Sequence, residues 1–378
     1  MIDERGNKME ESEARLTRTL KETDRKCPNC GAAMQFDPVT GGLKCAFCGY
    51  QEEIPKTVNE AGEEQQAREL DLLSETNTEG YDWGVKNKVV VCKSCGAESI
   101  YDELQIADVC PYCGSNQVMQ ASEDIKTLAP GGVVPFKVDD KQAGGLFTKW
   151  IKGKFFCPKK AKDSARPDAF KGVYLPYWTY DAQTQSRYTA RYGIDRKVQD
   201  KDGKTETTTD WYQTGGVYDK FFDDVLVFGS KRYEKDLMQR IEPFDTAANV
   251  AYKPEYLEGY TAERYSVGLK DGWSTASDKM KEQIKSDIRS EVEHKYNADH
   301  VDNVKADTKF DKMTYKYLLL PVWMSAFTYK DKVYRFLVNG QTGKVGGKTP
   351  VSALRVTLTI AAVIAVIVGI VLLLKACK

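Results

Sequence analysis

The chain of 378 residues has only two histidines and no net charge, with 55 Lys and Arg set against 55 Asp and Glu. The charge balance excludes a global field that would draw in phosphate backbones, and the scarcity of imidazole excludes most histidine-built sites. His294 and His300 both fall at the end of a charged helical stretch, with no Cys or carboxylate arrangement suited to a metal, and are read as surface residues. The G-x-S-x-G elbow, the phosphate loop, the dinucleotide fingerprint and H-E-x-x-H are also missing. No catalytic residue is assigned, and the chain is not expected to be an enzyme. The opening residues M-I-D-E-R-G-N-K-M-E-E-S-E hold no apolar run, so no secretory signal is expected in them.

Cysteine, by contrast, is patterned. Eight of the ten Cys form four C-x-x-C pairs: Cys27 and Cys30 with Cys45 and Cys48, then Cys92 and Cys95 with Cys110 and Cys113. Each set has fourteen residues between its pairs, and glycine follows every second Cys, at Gly31, Gly49, Gly96 and Gly114. Two residues between thiolates let one knuckle offer both sulfurs to one ion, and glycine permits the positive φ that the turn requires. Two small four-cysteine zinc ribbons are therefore expected, holding two structural Zn2+ ions. With four sulfurs on each ion no position is left for water or substrate, so the sites should organise a surface rather than perform chemistry. Cys157 stands alone before Pro158 and reads as a core thiol.

A second feature is the uncharged run at 356–374, bounded by Arg355 and Lys375. At about 1.5 Å rise per residue such a run spans roughly 28 Å, close to a bilayer's hydrocarbon core. It reads as a transmembrane helix over 355–375, interrupted only by Thr357, Thr359 and Gly369. Eight paired thiols stay free for metal in a reducing compartment, so the expected placement is a single-pass protein of the cell membrane with its N-terminal domains cytoplasmic.

Composition divides the remainder. Residues 1–130 carry 14 basic and 24 acidic side chains, which disfavours nucleic acid as a partner, and residues 131–355 carry 39 and 31, a balance suited to an anionic membrane leaflet. The expected order is a surface helix in 1–25, ribbon one over 26–51, an acidic linker with one helix over 52–88, and ribbon two over 89–120. An α+β domain with mostly antiparallel sheet then fills 131–348. Within it a strand is read at 133–138 and a helix at 139–153, with Leu146, Phe147, Trp150 and Ile151 on one face. Strand material follows from Gly172, with a hairpin through Lys201-Asp202-Gly203. A long helix is read over 274–296 because Met280, Ile284, Ile288 and Val292 recur every four residues. A further hairpin turns at Lys330-Asp331, and Asp223-Asp224 reads as a strand cap. There is also an internal echo: Val134-Pro135-Phe136 then Leu175-Pro176-Tyr177-Trp178, against Glu242-Pro243-Phe244 then Leu320-Pro321-Val322-Trp323.

The two ribbons, F-K-G-V-Y-L-P-Y-W-T-Y-D-A, F-F-D-D-V-L-V, L-P-V-W, F-L-V-N-G-Q-T-G-K-V-G-G and the C-terminal span together resemble a family of bacterial membrane-anchored proteins with transcription factor IIB-type zinc ribbons. The resemblance implies the eight Cys as metal ligands. It also implies gene neighbourhoods with phage-shock protein A-like, flotillin-like and TPM-domain proteins, hence a role in envelope stress or membrane recruitment. The expected function is a tail-anchored adaptor that binds membrane lipid and recruits protein partners. A membrane-tethered nucleic-acid binder and an uncharacterised hydrolase are the alternatives.

Overall fold

A computed structural model describes residues 25–58, 64–74, 87–93, 98–102, 118–120, 128–165, 170–199, 205–231, 235–330 and 332–376. The helix expected in 1–25 lies outside the described residues. Fifteen strands are present among those described: β1 Met34–Asp37, β2 Gly42–Cys45, β3 Gln51–Glu52, β4 Leu70–Asp71, β5 Asn87–Cys92, β6 Glu98–Asp102, β7 Val118–Gln120, β8 Gly132–Val133, β9 Lys171–Gln199, β10 Thr205–Phe228, β11 Val250–Ala251, β12 Thr261–Glu263, β13 His300–Tyr329, β14 Lys332–Asn339 and β15 Val345–Gly347. The helices are α1 Asp140–Lys152, α2 Lys159–Ser164, α3 Lys235–Gln239, α4 Leu269–Tyr296 and α5 Ala353–Ala376.

Strands β1 to β3 form a small antiparallel sheet, and the other twelve make one large sheet. Its spine is the antiparallel trio β10-β9-β13, of 24, 29 and 30 residues. At about 3.3 Å per residue a strand of this length reaches on the order of 90 Å, far beyond an ordinary one. The sequence explains how β9 is buried along its run. Residues 173–182 are covered on both faces, whereas beyond them burial alternates, with Thr184, Ser186, Tyr188 and Ala190 turned inward. Helix α4 covers that inner face with Ala276, Met280, Ile284, Ile288 and Val292, all buried. A step of four residues turns about 40° further around a helix each time, so the stripe winds along α4. A spiralling stripe is what a twisted sheet of long strands presents to a helix. The helix closes at Asn297 in the left-handed region, whose N–H returns to Glu293 and His294.

The internal echo is a structural duplication. Leu175 of β9 pairs with Leu320 of β13, and a local two-fold through that pair carries Val173 onto Leu318, Pro176 onto Pro321 and Trp178 onto Trp323. On the outer edges, β12 runs parallel beside Val173 and β8 parallel beside Leu318. Strand β10 then begins its pairing at Tyr177 and β14 at Val322. Helices α1 and α4 each start eight residues after the first residue of β8 and β12. Each unit is therefore β-α-β-β, and the units exchange their first strands. Trp178 donates its indole N–H to the Val267 carbonyl at 2.8 Å, and Trp323 donates to Val138 at 2.8 Å, so each tryptophan ties its strand to the start of the other unit's helix. The Val134-Pro135-Phe136 and Glu242-Pro243-Phe244 part of the echo does not correspond: the counterpart of β8 is β12, and Pro243 lies in the connection after α3, where its carbonyl accepts from Asn339.

Other expectations shift for local reasons. The strand read at 133–138 shrinks to β8, and α1 starts at Asp140 because Asp139 and Gln142 form a capping box. Phe147 and Ile151 are buried as expected, but Leu146 is exposed. The helix expected in the linker is absent from residues 64–74. Instead the Gln65 N–H donates to the Thr57 carbonyl, the Ala67 N–H donates to the Asn249 side chain, and β4 joins β13 as an edge strand. Strand β6 pairs with β12, so segments ahead of residue 131 enter the large sheet. The hairpins are present, between Gln199 and Thr205 and between Tyr329 and Lys332; Lys201, Asp202, Gly203 and Asp331 themselves lie outside the described residues.

Candidate metal centre

Four thiols converge at the end of the small sheet. Cys27, Cys30, Cys45 and Cys48 bring their sulfurs within 4.8 Å of one another, with Cys27 Sγ 3.3 Å from Cys48 Sγ and Cys30 Sγ 3.5 Å from Cys45 Sγ. A tetrahedral ion with bonds of about 2.3 Å to sulfur needs sulfurs roughly 3.8 Å apart, so the set fits a metal ion held by four thiolates. The two knuckles are built alike. Gly31 N–H donates to Cys27 O and Gly49 N–H to Cys45 O, and both glycines have φ of 75°. The Cys27 N–H donates to Ala32 O at 2.7 Å and the Cys45 N–H to Tyr50 O at 2.8 Å. The backbone N–H of Cys48, helped by that of Phe47 against desolvation, draws the Cys45 thiol down to about 6, while the Cys30 and Cys48 thiols are raised above their ordinary value.

The centre is fixed to the body. Phe36 packs edge-on to Tyr256 at 5.5 Å between ring centroids and donates its N–H to Glu258 O at 3.0 Å, and Arg25 bridges Glu52 and Glu255 at 3.0 and 2.8 Å. On the free side, Phe47 in the second knuckle and Val39 at the hairpin tip are 84% and 71% exposed. These are apolar side chains with no cover among the described residues. A polar cleft of about 720 Å³ opens between ribbon and body, with Tyr260 and Trp323 among its lining and Lys44, Asp139, Lys141 and Lys171 around it. Its lining contains no Cys, His or Ser among the described residues.

Of the second Cys set, Cys92 ends β5, and Cys95, Cys110 and Cys113 lie outside the described residues. Strand β5 pairs with both β6 and β7. Cys157 is buried as expected, and burial raises its thiol above the ordinary value. His300 sits at the surface, 3.2 Å from Asp195.

A buried ionic cluster escapes the sequence reading. Asp223-Asp224 does not cap a strand; it forms a bulge inside β10, with Asp224 at φ 51°. The bulge turns the Asp224 carboxylate onto Lys316 at 2.7 Å, while Asp181 accepts from the Asp224 N–H at 2.6 Å and from Thr314 at 2.9 Å. Glu69 completes the set 3.2 Å from the Lys316 ammonium. Desolvation raises the Asp181 carboxyl; it opposes charge on Lys316 too, but Asp224, Asp181 and Glu69 together outweigh it and hold that ammonium above its ordinary range. The three carboxylates Asp181, Asp223 and Asp224 lie close enough to suggest a cation site, but the Lys316 ammonium already provides the positive charge there. The available signal was a lone Lys in the apolar run Y-K-Y-L-L-L, brought close to the lone Asp of Y-W-T-Y-D-A across the register.

Helix α5 has a window over Ala353–Ile370 with mean hydropathy 2.4, and none of the residues in that window is fully buried. By length and composition it can cross a membrane.

The structure thus defines a protein with a four-cysteine cluster that could hold a metal ion, an antiparallel sheet-rich α+β body and one apolar C-terminal helix. No family model matches the chain, and no solved structure matches it. It is 30% identical over 332 residues, 86% of this chain and 90% of the relative, to a protein of Bacillus subtilis (strain 168) described as uncharacterized protein YdjG, and it belongs to that protein's family.

Proposed function

We propose that the chain is a membrane-anchored adaptor, held by α5 as a single span of the cell membrane with the body and ribbons in the cytoplasm, and recruiting protein partners through ribbon one. The observation that carries this reading is the exposed Phe47 on a knuckle whose four thiols would close around a metal. A filled sphere of four thiolates offers no position to a substrate, so what it supplies is rigidity, and the side chain it holds out in water is apolar. Zn2+ is the proposed ion, since an all-sulfur tetrahedral set suits it. Cys92, Cys95, Cys110 and Cys113 are proposed as a second such site, and no catalytic role is proposed.

The family resemblance drawn from the sequence adds TPM-domain, phage-shock protein A-like and flotillin-like proteins as the partners to test, and envelope stress as the setting. The test is co-purification from detergent extracts at moderate salt, comparing the native chain with Phe47→Asp at equal metal content. A defined set of proteins should fall about tenfold or more in the variant, as loss of a central apolar anchor implies. Retention of the same proteins would place the contact elsewhere, and retention of DNA or RNA that salt removes steeply would favour the nucleic-acid reading.

A further inference from the structure

The segment between α1 and α2 is unusual in both charge and placement. From residue 149 to 162 the chain reads K-W-I-K-G-K-F-F-C-P-K-K-A-K, with six lysines and no acid. Lys149, Lys152, Lys154 and Lys159 are exposed, and between them Phe155 and Phe156 are 65% and 40% exposed. The same segment is tied to the foot of α5. The Arg355 guanidinium donates to Phe155 O at 2.5 Å and Cys157 O at 3.1 Å, and Ser352 N–H donates to Phe156 O at 2.9 Å. Phe155 and Phe156, with Lys154 next to them in the chain, therefore stand where the apolar helix leaves the body.

We propose that this segment is a lipid-binding collar, in which the lysines contact the head groups of anionic phospholipids and Phe155 and Phe156 enter the interface beside α5. The proposal rests on the reading that α5 spans the membrane. Charge complementarity selects the lipid: the lysines are drawn to an anionic leaflet, whereas a zwitterionic surface offers no such attraction. Phe155 and Phe156, apolar rings exposed to water beside α5, would leave water on entering the acyl boundary. The collar would also fix how the body stands on the bilayer, since Arg355 joins the span and the collar through backbone carbonyls that do not swing freely.

The experiment uses the full chain in nanodiscs, with a photo-crosslinking phenylalanine analogue placed at Phe155 or, separately, at Ile367 within α5. Phe155 should crosslink to phospholipid about fivefold more in discs containing phosphatidylglycerol than in phosphatidylcholine alone, and the triple variant Lys152→Glu, Lys154→Glu, Lys159→Glu should abolish the difference. Ile367 should crosslink to lipid in every case. Lipid capture at Ile367 with none at Phe155, or capture at Phe155 indifferent to lipid charge, would overturn the collar while leaving the span intact. No capture at Ile367 would overturn the span, and the collar with it.

Discussion

Lys316, Asp181 and Asp224 show most sharply how single residues act in this fold. Replacing Lys316 with Met should destabilise the chain by about 3–5 kcal/mol, because two inward carboxylates would lose their cation while staying out of water. Chemical denaturation would read that loss. Since the Lys316 ammonium is held above its ordinary value of 10.5, the contribution of that shift is complete below that pH and is lost on the alkaline side as pH climbs past the raised value. The native chain should therefore show an alkaline loss of stability that K316M lacks; identical alkaline limbs would contradict the assignment. At the metal centre, Cys45→Ser should lower bound metal by one ion per chain and loosen the ribbon, as metal release and protease sensitivity would report. The four thiols were legible because spacing alone encodes them. The ionic cluster was not, because its members are far apart in sequence and meet only through the β9-β13 register and the bulge at Asp224.

Among elements, α4 was the most legible, because its apolar step of four residues is a property of the helix itself. The same periodicity carries a quantitative expectation. Ile284, fully buried at the middle of the stripe, should cost about 2–5 kcal/mol when cut to Ala, read as a lower thermal midpoint, while a change at exposed Glu282 should cost little. Strands were legible as strand material but not as whole elements. Turn-like glycines such as Gly193, Gly215 and Gly216 lie inside β9 and β10, where pairing with neighbouring strands keeps the backbone extended. At Gly193 an added side chain would meet Thr209 at 2.6 Å and Trp211 at 3.3 Å, so that glycine records a close approach and not a chain reversal. The linker segment 64–74 misled for the opposite reason: its helix-favouring composition yields to an available sheet edge at Thr314 and Tyr315.

For the molecule as a whole, the duplication joins what composition divides. The two β-α-β-β units share one sheet through the Leu175-Leu320 pair, and β4 and β6 extend that sheet with chain from the acidic N-terminal third. Ribbon one adds its own contacts through Phe36 and Arg25, so metal removal should lower the stability of the body as well as of the ribbon, seen as a concerted shift in thermal unfolding. Helix α5 stands apart, linked to the body through Ser352 and Arg355, and its removal should leave the rest folded. That separation permits the most direct test of recruitment. Cells expressing the full chain, or a chain ending at residue 350, are fractionated and the proteins that co-purify with each form are quantified in membrane and soluble fractions. Partners should sediment with the membrane alongside the full chain and move to the soluble fraction with the shortened one. Partners that stay on the membrane whichever form is present would contradict the claim that this chain brings them there.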